Sequence, residues 1–151
     1  QFQSLVLSVI AITDRVLPGM RQRKWGRIIT SATSGVVSPI PNLGISNTLR
    51  ASLVTFSKTL SQEVARDGVT VNVVLPGRIM TDRITQIDGN TAQKQGRSIE
   101  EVTRDSANAI PMGRLGDARE YGDAVAFLAS ARASYITGSI LRVDGGAIAS
   151  I

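Results

Sequence analysis

The chemistry open to this chain is limited first by what it lacks. Among its 151 residues there is no histidine and no cysteine. Imidazole is the commonest general base and metal ligand, and Ser–His and Cys–His nucleophile pairs both require it. Disulfides and thiolate metal sites are excluded with cysteine. Acid–base chemistry must therefore use Tyr, Lys, Asp or Glu, or a hydroxyl with help. Thr33 follows a short β-branched run, at an expected strand end where ligands of open α/β sheets gather. Ser46 stands near an expected helix start, and Arg50 four residues on falls on the same helical face. A serine hydroxyl can hydrogen-bond a carbonyl, and the arginine fork can hold a ribose, a phosphate or a carboxylate. A second candidate is the strand-ending pair Pro76-Gly77. Proline ends a strand without needing a donor, and glycine lets the backbone approach a flat ring. Purely structural readings stand beside these: Ser46 as a helix cap, and Arg50 as a surface side chain lying over apolar neighbours.

The elements that must position these residues are legible from periodicity. Gln3 to about Arg23 reads as a helix with Leu5, Val9, Ile12, Val16 and Met20 on one apolar face, and Pro18 kinks it or tightens its last turn. Gly26 breaks it, and Arg27 to Thr30 starts a strand. Ser31 to Gly44, rich in Ser, Gly and Pro, reads as a loop. A second helix runs from about Ile45 to Arg66, with Leu49, Leu53, Phe56, Leu60 and Val64 at helical spacing, and Asp67-Gly68 ends it. Val69 to Leu75 is nearly continuous in β-branched residues, which suits a parallel strand buried on both faces. Arg78 to Ile110 is long, polar and only partly helical, with one short helix opened by the Ser98/Glu101 capping box. Asp117 and Glu120 have the same spacing and open a helix to about Ser130, with Val125, Phe127 and Leu128 on its buried side. Ile140 to Val143 is the last strand, closed by Asp144-Gly145-Gly146, a structural turn. Strands alternating with helices imply a parallel sheet with right-handed crossovers.

The net charge is +5. Arginines are scattered apart from Arg21, Arg23, Lys24 and Arg27, and aromatic residues make up only 4%, which argues against a nucleic-acid partner. The apolar run Leu5 to Ile12 is too short to span a bilayer and has neither the basic leader nor the cleavage site of a signal peptide. Membrane partners are not expected. The pattern places Gln1 inside a helix, which leads us to expect a truncated chain.

Several segments, in order, resemble one known family. They are Gly26-Arg27-Ile28-Ile29 with its Ser/Thr loop, Val71-Asn72-Val73-Val74-Leu75-Pro76-Gly77, and Ile110-Pro111-Met112-Gly113-Arg114-Leu115-Gly116. Phe127-Leu128-Ala129-Ser130, Tyr135-Ile136-Thr137-Gly138 and Val143-Asp144-Gly145-Gly146 complete the set. Together they resemble short-chain dehydrogenases/reductases over nearly the whole chain. The resemblance implies an α/β fold of Rossmann type, a doubly wound parallel sheet, of which residues 1–151 hold the C-terminal half: about three strands with flanking helices in one partial domain. The glycine-rich phosphate loop is not among these residues, so the choice between NAD and NADP is not legible. The resemblance also implies a mobile substrate lid at about 82–110. Thr33 falls at the family's catalytic serine, Ser46 at its tyrosine and Arg50 at its lysine, while Leu5 falls near its asparagine. Arg50, Pro76, Gly77, Ile79 and Thr81 are the implied cofactor contacts. The segment Pro41 to Arg50 is similar to a divergent, 3-oxoacyl-carrier-protein reductase-like branch. The expected function is NAD(P)-dependent oxidoreduction of a small-molecule carbonyl or alcohol, in a cytoplasmic homodimer or homotetramer. Loss of the tyrosine and lysine leaves a second reading, a catalytically silent member serving as a binding or scaffold subunit.

Overall fold

The structure, a computed structural model, describes residues 1–150. Its centre is β2 (Val69–Pro76), in which every residue from Val69 to Leu75 is buried. A strand can be apolar on both faces only if both are covered. The helices α1 (Ser8–Gln22) and α2 (Gly44–Val64) cover one face, and α5 (Ala118–Ala129) covers the other. Val69 and Val71 pack with Leu17, Leu60 and Val64. Val73 and Leu75 continue that face toward Ala32 and Val54. Val74 turns the opposite way, against Leu128, Ala133 and Tyr121.

Parallel neighbours flank β2: β1 (Gly26–Ser31) on one side and β3 (Ile140–Val143) on the other. The three-stranded α/β order is the expected one, and β1 has no second partner strand among the described residues. Asn72, 1% exposed, is the polar exception at the centre. Its Nδ2 donates to the Ile136 carbonyl (2.9 Å) and its Oδ1 accepts from Ser139 N–H (3.1 Å), tying the loop before β3 to the middle of the sheet.

The buried stripe of the first helix is Val6, Thr13 and Leu17, with Ile12 64% and Val16 41% exposed. The helix, whose first turn (Gln3–Leu7) is π-wound, therefore turns an apolar edge outward instead of centring its apolar arc on the sheet. Two expectations need correction, those for Phe127 and for the 78–110 segment. Phe127 is 43% exposed, because α5 points Tyr121, Val125 and Leu128 at the sheet. The segment read as only partly helical forms α3 (Asp82–Gln95) and α4 (Ile99–Asn108), joined at Gly96. In α3 the buried residues are Asp88 and Ala92, so no apolar stripe advertised it.

Candidate active site

The C-terminal ends of β1 and β2 carry both groups of candidate residues. After β1 the chain enters a 3-10 turn (Ser34–Val36) whose cap is Thr33, with Thr33 Oγ1 accepting from Gly35 N–H at 3.3 Å. This turn packs on the start of α2. Asn47 Nδ2 donates to the Ile40 carbonyl (3.0 Å), and a Cβ added to Gly35 would stand 2.4 Å from Asn47 Oδ1. That oxygen is buried and accepts no hydrogen bond among the described residues. Thr33 and the first turn of α2 are thus neighbours on the α1/α2 side of the sheet. Ser46 is not the helix cap, since that position falls on Leu43 without a side-chain cap bond. Arg50, partly buried one turn later, joins none of the ion pairs found among the described residues.

The second group surrounds a cavity of about 320 Å³ at the end of β2, lined by Pro76, Gly77, Ile79, Thr81 and Tyr121 among others. Thr33, Ser46 and Arg50 do not line it. Gly77 has a structural reason as well: a Cβ there would lie 2.6 Å from Asp144 Cα. Thr81 occupies the cap position of α3, yet its hydroxyl makes no cap bond and donates instead to the Ile79 carbonyl (3.3 Å). Two backbone bonds bracket Ile79: Met80 N–H donates to the Gly116 carbonyl (2.8 Å) and Gly116 N–H to the Arg78 carbonyl (2.9 Å).

Sequence reasoning missed Tyr121. Its hydroxyl lies 2.7 Å from Ser31 Oγ and 3.4 Å from the Val74 carbonyl. The signal was its spacing of four and seven residues before Val125 and Leu128, which packs it on the same face. On the far side of Ile79 a second cavity, about 330 Å³, is lined by Arg78, Arg114, Glu120, Arg142 and Asp144 among others. Here Arg114 donates twice to Glu120 (2.8 and 2.6 Å), and this pairing, with the Asp117 backbone N–H, holds the Glu120 carboxyl down at about 2. The turn after β3 is structural: Asp144 accepts from Gly146 and Ile148 N–H at 3.0 and 3.1 Å. Among the described residues no three acidic side chains converge as a metal site would require. No helix there is long and apolar enough to cross a membrane.

A parallel three-stranded sheet covered by helices on both faces defines a Rossmann-type α/β class. Comparison with known proteins makes the class specific. Residues 2–147 match the family model described as Enoyl-(Acyl carrier protein) reductase. The 3-oxoacyl-(acyl-carrier-protein) reductase FabG of Salmonella typhimurium is 43% identical over 141 residues, 92% of this chain and 52% of that protein. The NADPH-dependent reductase BacG of Bacillus subtilis is 36% identical over 150 residues, 99% of this chain and 58% of that one. Among solved structures, L-sorbose reductase from Gluconobacter frateurii, complexed with NADPH and L-sorbose, superposes with a TM-score of 0.92 at 32% identity, covering 99% of this chain and 57% of that one. The chain belongs to the short-chain dehydrogenase/reductase family, in its 3-oxoacyl reductase-like branch. It spans about half the length of the curated relatives it matches.

Proposed function

We propose that this chain forms the substrate-facing and nicotinamide-facing part of an NAD(P)-dependent oxidoreductase acting on a carbonyl or alcohol, with 3-oxoacyl thioesters as the substrate class. The observation that carries this reading is the convergence of Pro76, Gly77, Ile79 and Thr81 on one cavity at the strand end. Its volume suits a single flat ring and its immediate neighbours, not a whole dinucleotide. Those residues fit the nicotinamide end of the cofactor, and we assign Arg50 to a ribose hydroxyl or a phosphate on the chemistry of its guanidinium. When bound, the cofactor supplies or accepts the hydride. The chain's own residues orient and polarise. Thr33 and Ser46 donate hydrogen bonds to the carbonyl oxygen, and Ile79 and Thr81 fix the ring edge through the bracketed turn. A serine hydroxyl is a far weaker acid than a phenol, which titrates near pH ~10. Ser46 therefore orients the carbonyl oxygen and does not replace the phenol as proton donor. Assembly as a homodimer or homotetramer, a cytoplasmic setting and a lid at about 82–110 belong to the same proposal.

The absence of a phenol–ammonium pair at Ser46 and Arg50 favours a second reading, a silent ligand-binding subunit. One experiment separates the two. NADPH and NADH oxidation is followed at 340 nm with 3-oxoacyl thioesters and a ketone panel, for the unaltered protein and for the S46Y/R50K pair. Turnover by the unaltered protein, raised by the pair, is expected. No turnover by either, with cofactor binding retained, establishes the silent reading.

A further inference from the structure

Asp88 is 2% exposed on the inner face of α3. A buried carboxylate is tolerated only where its charge and lone pairs are answered. Two residues from different elements answer it. Arg78 Nη2 donates to Asp88 Oδ1, and Thr103 Oγ1, from α4, donates to Asp88 Oδ2 at 3.2 Å. Arg78 directly follows Gly77 and precedes Ile79, so it belongs to the turn that borders both cavities. The buried Arg78 Nε has no acceptor among the described residues, which leaves Asp88 as the one side chain that fixes the guanidinium there. A single buried carboxylate thus joins the strand-end turn, α3 and α4.

We propose that Arg78, Asp88 and Thr103 are positioning residues that lock the Gly77–Thr81 turn to both helices of the 82–108 segment, so that turn and helices open and close as one body. The kinetic part of this inference rests on the redox reading above; the structural part does not. The turn is otherwise held by backbone bonds with Gly116, by Gly77 N–H to the Val143 carbonyl, and by Ile84 and Thr85 N–H to the Thr81 carbonyl at the start of α3; the helices are held by their packing on each other. The carboxylate adds the side-chain tie from the turn to the middle of α3 and, through Thr103, to α4. Its removal from either side leaves a buried charge or donor unanswered, so the connection is lost and both parts loosen together.

Amide hydrogen exchange of the full chain tests the lock, comparing the unaltered protein with R78Q, R78K, D88N and the milder T103V. In R78Q and D88N, protection of amides 82–108 and of the Met80 and Gly116 amides falls together, by about tenfold or more, while β2 and α2 keep theirs. R78K, which keeps the charge, restores most of the protection, and T103V shows the same pattern at smaller amplitude even if the other variants fold poorly. Loosening of 82–108 with Met80 and Gly116 unchanged overturns the proposal. So does a loss spread evenly over all amides. If the protein turns over a carbonyl, D88N raises KM by about tenfold with kcat within about threefold; a fall in kcat at constant KM also overturns it. Absence of turnover in the unaltered protein sinks the redox reading alone, because exchange needs no substrate.

Discussion

At the scale of single residues, Gly77 shows how sequence and structure assign different reasons to one position. The sequence suggested room for a flat ring. In the fold, the missing Cβ makes room for the Asp144 backbone, 2.6 Å from where that carbon would be. Backbone cannot swing aside as a flexible side chain can. Gly77→Ala is therefore expected to cost about 1–3 kcal/mol, read as a lower midpoint in urea at unchanged slope. Gly68 is constrained twice, by a φ of 72° and by the Lys24 carbonyl 2.2 Å from its would-be Cβ, and that helix-ending glycine was plain in the sequence. Charge adds a pH dependence. Glu120 sits at about 2, against an ordinary value of 4.5, through its bonds to Arg114 and to the Asp117 N–H. The Asp67 carboxyl is also lowered, chiefly by its hydrogen bond from Lys24. A carboxylate lowered on folding stabilises fully above its unfolded value, and that stability is lost as pH falls toward the folded one. Acid titration of stability is thus expected to fall between about pH 4.5 and 2. Glu120→Gln should make that fall shallower; an unchanged slope would remove Glu120 from the account. Thr33, Ser46 and Arg50 could be placed by anchoring on the motifs around them. The Arg78–Asp88 pair could not, because no periodicity marks two charges that meet only when a turn folds over a helix.

Among the elements, those announced by local chemistry were the most legible. Both capping boxes form as the spacing predicts. Ser98 Oγ accepts from Glu101 N–H and Glu101 answers the Ser98 N–H, both at 3.2 Å, and Asp117 with Glu120 does the same for α5. Ser98→Ala and Asp117→Ala should each cost about 0.5–2 kcal/mol, with exchange accelerated first in α4 and in α5 respectively. β2 was equally clear, since a run of β-branched residues without alternation fits only a strand covered on both sides. The less legible features lay where tertiary packing overrode pattern. For α1 the apolar arc is wider than the strip the sheet can cover, so the sequence could not say which edge would face out. α3 buries a carboxylate and an alanine, and a hydropathy pattern has no term for a charge answered from elsewhere in the chain.

For the molecule as a whole, both β1 and β3 are edge strands among the described residues, and the edge of β1 lies beside the outward side of α1. Val9, Ile12, Val16 and Ile28 line a shallow groove there, beside a strand paired on only one edge among the described residues. Unpaired parallel edges next to apolar surface promote association. Light scattering at micromolar concentration should give a mass above that of one chain, reduced by the I12E/V16E pair. A single-chain mass for the unaltered protein would defeat the assembly proposal. Asn72 has a consequence of a different kind, in time. Its amide is joined to residues 64 and 67 positions later. At a synthesis rate of roughly 5–20 residues per second, that is a wait of about 3–13 s after Asn72 is made. Through that interval β2 can be zipped to β1, yet its other edge has no strand to receive. The newborn chain is most vulnerable to mispairing along that edge, and a chaperone that shields nascent β2 until residue 140 emerges would act where the fold most needs it.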